Sequence, residues 1–330
     1  MSYLYVLEHG SIISFSENYV RVTCKDDMCK MVPVETLEGI SIFSKSQMTT
    51  QCTEECLKRG IPVSYYSKNG RYFGRLISTG HINAMRQRKQ AALYETEFAV
   101  RLGCRIMKAK IRNQEVILRR YQRTTGINVD EERSKMHYYA EKLDRCRTIE
   151  QISGYEGIAA RNYFQALEKL VDKEFSFHGR TRRPPQDKFN SMLSLGYSIL
   201  LNEIYGKIES KGLNPYFGFI HKDHENHPTL GSDLMEEWRA VIIDSLAMSL
   251  ANGHEILPEH FLEEDGIILT KAGMTVFINK LEQKLRTDVS YLDYVNYRVN
   301  FRRAMDLQVN CLVQAIESQN ADFYHPVVIR

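Results

Sequence analysis

Gly70-Arg-Tyr-Phe-Gly-Arg-Leu-Ile-Ser-Thr-Gly-His-Ile-Asn-Ala-Met-Arg-Gln-Arg-Lys-Gln90 is the stretch where the texture of this chain changes. Upstream of it lie short β-rich runs: Tyr3-Leu-Tyr-Val-Leu7, Ser11-Ile-Ile-Ser-Phe15, Tyr19-Val-Arg-Val-Thr23 and Ile61-Pro-Val-Ser-Tyr-Tyr66. Gly10, Glu17-Asn18, Asp26-Asp27 and Asn69-Gly70 punctuate them as turns. One short helix, Gln47–Arg59, is expected among them, ending before Gly60. From Asn83 onward apolar and charged residues recur at helical spacing, with few Gly or Pro until Gly154. Helix-length segments are expected at 83–124, 130–145, 157–173, 187–210, 232–250, 271–285 and 289–319. The spacing predicts an α+β protein: a small N-terminal β domain (1–78), a linker (79–83) and a larger all-α catalytic domain (84–330). No period of 20–50 residues repeats, which excludes a solenoid.

Over 330 residues, 43% hydrophobic and 26% charged are ordinary globular values, and no stretch holds the roughly 20 uninterrupted apolar residues of a membrane span. The N-terminal Met1-Ser-Tyr-Leu-Tyr-Val-Leu-Glu-His-Gly10 lacks a basic region followed by an apolar core, so the expectation is a cytoplasmic protein with no membrane partner. The odd cysteine count, seven, fits reduced thiols better than a disulfide framework, and neither Cys24/Cys29 nor Cys52/Cys56 has zinc-ribbon spacing.

A net charge of +3 does not argue for nucleic acid, so its distribution decides. Arg101, Arg105, Lys108, Arg112, Arg119 and Arg123 fall along one side of a long helix, with Glu115 the only acid in the stretch. Such a one-signed face reads as a track for phosphates or as plain solvated surface. A second cluster, Arg180-Thr-Arg-Arg-Pro-Pro-Gln-Asp-Lys188, holds Arg180, Arg182, Arg183 and Lys188 in a stretch where two prolines forbid helix. It reads as a stiff basic loop or a simple connection.

Three further runs carry chemistry: Gly154-Tyr-Glu-Gly-Ile-Ala-Ala-Arg161, Gly212-Leu-Asn-Pro-Tyr-Phe-Gly-Phe-Ile-His-Lys222 and Gly231-Ser-Asp-Leu-Met-Glu-Glu-Trp-Arg239. Glu156 reads as a carboxylate at a helix start, where the macrodipole alone would favour it. His221 closes an apolar run, a place suited to a structural imidazole or to a ligand. Asp233 and Glu236, three apart, share a helix face while Glu237 points elsewhere; Arg239 or Arg161 could simply pair with the acids. Taken together, carboxylates plus an imidazole make a hard, oxygen-rich set suited to Mg²⁺ or Mn²⁺ working on phosphate. The three-residue spacing of His221, His224 and His227 also raises zinc, but the polar residues between them describe a loop rather than an aligned helix.

These stretches, in this order and together with Gly70-Arg-Tyr-Phe-Gly-Arg-Leu76 and Arg182-Arg-Pro-Pro-Gln-Asp-Lys-Phe-Asn-Ser-Met-Leu-Ser-Leu-Gly-Tyr197, resemble the CRISPR-associated integrase family, the larger of the two universal spacer-acquisition proteins. The resemblance covers nearly the whole chain. It implies Glu156, His221 and Glu236 as first, second and third metal ligands and catalytic residues, with Asp233 a supporting ligand. Some relatives have aspartate where Glu236 stands, a change of arm length that keeps charge and donor type. The resemblance also implies double-stranded and branched DNA as substrates, a homodimer, and a heterohexamer-type complex with a small ferredoxin-like second adaptation protein. The Glu156-to-His221 segment and the Lys222–Pro228 loop look most like the versions of type I-C systems. The reaction implied is insertion of short duplexes (spacers) into a repeat array, a 3′-hydroxyl attacking a phosphodiester, with endonuclease activity as the same chemistry using water. Its rivals are a stand-alone repair nuclease and a non-catalytic DNA-binding subunit. The tail from Tyr324-His-Pro-Val-Val-Ile-Arg330 is apolar enough to dock or to bind a partner.

Overall fold

A computed structural model describes residues 2–24, 29–175, 177–181 and 184–329; Arg182 and Arg183, expected in the basic loop, lie outside the described residues. The chain divides into Met1–Ile82 and Asn83–Arg330.

The first unit contains β1 (Ser2–Val6), β2 (Ile12–Ser16), β3 (Tyr19–Thr23), β4 (Cys29–Pro33), β5 (Leu37–Ile42), β6 (Gln47–Met48), α1 (Thr50–Arg59), β7 (Val63–Tyr66) and β8 (Tyr72–Leu76). They form two four-stranded sheets, β1-β5-β7-β8 and β4-β3-β2-β6. Glu17 and Asn18, at φ 50° and 65°, close the β2–β3 hairpin in the left-handed conformations that a two-residue turn demands. Alternating Ile13, Val20, Val22, Leu4, Ile40 and Val63 point into one core, which α1 closes with Cys52 and Cys56. The expected helix from Gln47 begins only at Thr50. Thr49 caps it, accepting from Cys52 N–H at 3.3 Å, so Gln47–Met48 is released to pair with β2.

The second unit is helical: α2 (Ala84–Ala92), α3 (Glu97–Thr125), α4 (Asp130–Lys142), α5 (Ile149–Leu170), α6 (Lys188–Ser210), α7 (Thr229–Trp238), α8 (Ser245–Asn252), α9 (Lys271–Leu285) and α10 (Phe301–Ser318). A π-helical turn, Arg239–Asp244, joins α7 to α8. It is not all-α, as the spacing predicts, because two short hairpins interrupt it: β9 (Phe261–Glu264) with β10 (Gly266–Leu269), and β11 (Asp288–Val289) with β12 (Val299–Asn300). The latter takes the place of the first part of the helix expected over 289–319, which begins only at Phe301. The helix expected over 83–124 is also two, separated at Leu93–Thr96, where Glu95 takes a φ of 57°.

Helix α3, 29 residues and about 44 Å long, packs against α4, α5 and α7. Its buried stripe runs Phe98, Leu102, Ile106, Lys110, Asn113 and Ile117, stepping by three or four residues. A single cation thus stands in an apolar row. Where α6 crosses the π-turn, a Cβ on Gly196 would sit 2.5 Å from Ile243 Cγ2, so only glycine allows that approach. After α10 the chain runs back along the unit as a strap, with Tyr324, Val327 and Ile329 buried.

Candidate active site

Helix α7 carries the site, and all ten of its residues are buried. A helix buried all round has to give every polar side chain a partner, and its three carboxylates find theirs in three directions.

Asp233 faces the loop before it. Its Oδ2 accepts from the backbone N–H groups of Phe219 (2.7 Å) and Ile220 (3.1 Å), and its Oδ1 from the N–H of His221 (3.1 Å) and from His221 Nδ1 (2.6 Å). A carboxylate only accepts, so Nδ1 carries the hydrogen and Nε2 is left facing Glu236, 3.7 Å from Oε1. Burial alone would lower the His221 pKa, but the Asp233 carboxylate, with Glu236 behind it, raises it. The loop reaches this position because Gly218 packs on Thr229, where a Cβ would meet the threonine side chain at 2.8 Å.

Glu236 meets two cations. Its Oε2 lies 2.6 Å from Lys110 Nζ and its Oε1 3.2 Å from Arg239 Nη2. Lys110 Nζ also donates to Glu156 Oε1 at 2.6 Å. The residue is 3% exposed, and burial would push its carboxyl up; Arg239, Lys110 and His221 together reverse that and hold it down to about 2. Glu156 comes from the third turn of α5, not from a helix start as its neighbours suggest, because Thr148 caps that helix by accepting from Gln151 N–H at 3.3 Å. The macrodipole therefore does not account for it.

Glu237 turns to the strap. It accepts from Tyr324 Oη (2.7 Å), Val327 N–H (2.8 Å) and Gln308 Nε2 (3.0 Å). Asn113 of α3 completes the pinning, donating to the carbonyls of Glu237 and Val327 and accepting from Ile329 N–H, each at 2.9 Å.

The π-turn supports the far side. Arg239 lies over the Tyr197 ring, 4.9 Å from its centroid, while Tyr197 Oη and Tyr163 Oη both donate to Asp244, the latter at 2.7 Å. Tyr197, Asp244 and Tyr163 were not legible as site residues. Lys110 was missed too, although its signal was present: a lysine standing in the apolar stripe of α3.

Glu236 is thus next to both of the others: Lys110 ties it to Glu156, and His221 Nε2 lies 3.7 Å from its Oε1. Two carboxylates and an imidazole presenting Nε2 fit a hard divalent cation chemically. Among the described residues no three His, Cys, Asp or Glu side chains are spaced to grip an ion as they stand, and the Lys110 ammonium lies between the two glutamates. Asp233 has both oxygens engaged by N–H donors. It orients His221 rather than reaching the glutamates.

The basic residues fall differently in space than along the chain. The α3 stripe is met mainly by acids from other elements: Arg101 by Asp322 and by Glu97 of its own helix (both 3.6 Å), Arg105 by Asp322, Lys108 by Glu141 (3.3 Å) and Asp144, and Arg112 by Glu141 (3.2 Å). Arg180 turns inward, donating to Asn190 Oδ1 (2.8 Å) and Ser194 Oγ (3.1 Å) and lying over the Tyr197 ring. Lys188 donates to the Glu174 carbonyl at 3.2 Å.

A family model described as CRISPR associated protein Cas1 matches residues 4–283. The chain belongs to the Cas1 family. It is 36% identical over 324 residues to the CRISPR-associated endonuclease Cas1 of Mycobacterium tuberculosis (strain ATCC 25618 / H37Rv), covering 96% of this chain and 95% of that one. Among solved structures, a casposase bound to integration product superposes with a TM-score of 0.88 at 23% identity, covering 100% of this chain and 95% of that chain. The Cas1 fold recurs in a Cas6-RT-Cas1–Cas2 complex, with a TM-score of 0.84 at 24% identity over 98% of this chain and 36% of that chain. Mixed α+β architecture, with strands first and a larger helical part after, is thus the family's own. No helix among the described residues is long and apolar enough to cross a membrane.

Proposed function

We propose that this Cas1 family member is a metal-dependent DNA endonuclease and integrase that inserts short duplex DNA into a CRISPR repeat array. The observation that carries the reading is the grouping of Glu156, from α5, and His221, from the loop before α7, about Glu236 of α7, beside the buried Lys110 and the half-buried Arg239. A site with this balance of charge suits a phosphodiester, whose substitution gathers negative charge on the phosphoryl oxygens. The relatives of comparable length are named as Cas1 endonucleases, and the casposase of the same fold is bound to integration product.

In this reading Glu156, Glu236 and His221 Nε2 hold Mg²⁺ or Mn²⁺, which polarises a phosphoryl oxygen when bound. Asp233 fixes the His221 tautomer so that Nε2 is the free donor atom. Arg239, braced by Tyr197, keeps Glu236 ionised. A 3′-hydroxyl of the incoming duplex forms the new P–O bond. The repeat strand's 3′ oxygen leaves with the bond electrons and takes up a proton; with water in place of the hydroxyl the same exchange is cleavage. Arg101, Arg105, Lys108, Arg112, Arg180, Arg182, Arg183 and Lys188 are proposed as contacts to DNA backbone, those of α3 by exchanging their exposed acidic partners for phosphate. A homodimer joined to a small ferredoxin-like Cas2-type partner, and a type I-C setting, complete the proposal.

A strand-transfer assay on repeat-containing plasmid, run beside cleavage of branched DNA in Mn²⁺, tests it. Wild-type protein is expected to give joined product, and Glu156→Ala and His221→Ala to lose both activities. Cleavage without any joining would sink the integrase half; undiminished activity in folded variants would sink the site.

A further inference from the structure

Lys110, the one charged residue among the buried residues of α3, holds the two glutamates in the way a divalent ion would. Its Nζ is 2.6 Å from Glu156 Oε1 and 2.6 Å from Glu236 Oε2, and the residue is 8% exposed. The two carboxylates come from different helices, α5 and α7, and this ammonium touches both. A divalent ion held by the same two carboxylates would lie within a few ångströms of the ammonium, in a site whose Glu236 is only 3% exposed. Two cations at that separation repel strongly, and one has to yield.

The partners of Glu236 indicate which. Both of its oxygens are claimed by cations, Oε2 by Lys110 and Oε1 by Arg239. Arg239 lies over the Tyr197 ring, 4.9 Å from its centroid, and Tyr197 is anchored by donating its hydroxyl to Asp244. Lys110 carries its compact charge at the end of a flexible four-carbon stem, which can move without breaking a ring contact. Glu156, in turn, has Lys110 as its ion-pair partner.

We propose that Lys110 is an internal competitor for the divalent cation: its ammonium and the ion exclude each other from the place between Glu156 and Glu236. The inference rests on the metal reading above and adds to it a built-in counter-ion that keeps the two carboxylates ionised and together, and that metal has to displace. Removing the ammonium then weakens the fold while strengthening the grip on metal. An ordinary structural ion pair would do only the first.

The test compares wild type with Lys110→Met, which keeps the length and apolar stem, and Lys110→Gln, which keeps a hydrogen-bond donor without charge. Free Mn²⁺ is followed by its six-line electron paramagnetic resonance signal, and thermal unfolding is followed as Mn²⁺ is added. Both variants are expected to bind Mn²⁺ at least about tenfold more tightly than wild type, since no buried charge has to be displaced. Both are also expected to melt lower without the ion and to gain more in melting temperature as it is added. A variant that folds only with Mn²⁺ present supports the exchange; one that stays unfolded in saturating Mn²⁺ overturns it. Equal or weaker Mn²⁺ binding by folded variants overturns the competition while leaving the metal site standing. Absence of Mn²⁺ binding in wild type and variants alike overturns both.

Discussion

Asp233 does its work through four hydrogen bonds to a loop, and its replacement separates orientation from charge. In Asp233→Asn one amide group faces donors that need an acceptor, so the His221 ring loses the partner that fixes its Nδ1 hydrogen. Mn²⁺ affinity and cleavage are expected to fall roughly 10–100-fold. Titration calorimetry beside a cleavage assay reads this, and an unchanged affinity would remove Asp233 from the site. Glu236→Gln is harsher, since it leaves the buried Lys110 and the half-buried Arg239 with one carboxylate fewer. Urea unfolding is expected to register about 3–5 kcal/mol of lost stability, and cleavage to disappear. The three proposed ligands stand out in the sequence because each falls in a run whose residue types and order are distinctive. Lys110 does not: in sequence it is one more basic residue among Arg105, Lys108 and Arg112, and only the phase of the apolar stripe sets it apart.

The α3 stripe shows what element-level reading misses. Its one-signed face is real along the chain, but Asp322, Glu141 and Asp144 arrive from segments that no local window contains. Helix ends failed for a similar reason: the start of α5 depends on the Thr148 cap, and the split near Glu95 on one left-handed residue. The strap behaves as an element of its own. Tyr324→Phe removes a buried hydroxyl shared by Glu237 and Gln308, and is expected to cost about 1–3 kcal/mol in denaturant unfolding. Helix α9 carries an opposite case. Burial, with Arg120 adding to it, lowers the Lys284 pKa from the ordinary 10.5 to about 8. Between those values the unfolded chain holds a proton that the folded chain does not, so this group's contribution to stability rises with pH across the window and its penalty is full below it. Lys284→Met is expected to stabilise the protein at pH 7 by about 1–2 kcal/mol, discounted for partial solvent contact, with the gain fading by pH 10.5. A gain of equal size at both ends would refute the assignment.

At the scale of the whole molecule the change of texture near Thr79 was the most legible feature, because alternation and helical periodicity are properties of long stretches and survive errors at single residues. The two units meet in sequence between Ile82 and Asn83, in a stretch of exposed residues. Brief thermolysin treatment is expected to cut there first and to leave a resistant fragment beginning near Asn83, identified by mass spectrometry; first cuts inside α3 or α6 would contradict that division. The strap bears on how the molecule is made. Glu237 receives its partners Tyr324 and Val327 from 87 and 90 residues further along the chain. At synthesis rates of about 5–20 residues per second, α7 leaves the ribosome roughly 4–18 s before the groups that satisfy its carboxylate. Through that interval a buried acid lacks its donors, and the neighbouring glutamate stands on an unfinished helix. The nuclease centre would therefore be completed late in translation, so that a chain stalled after α9 carries every proposed catalytic residue and still lacks a settled site.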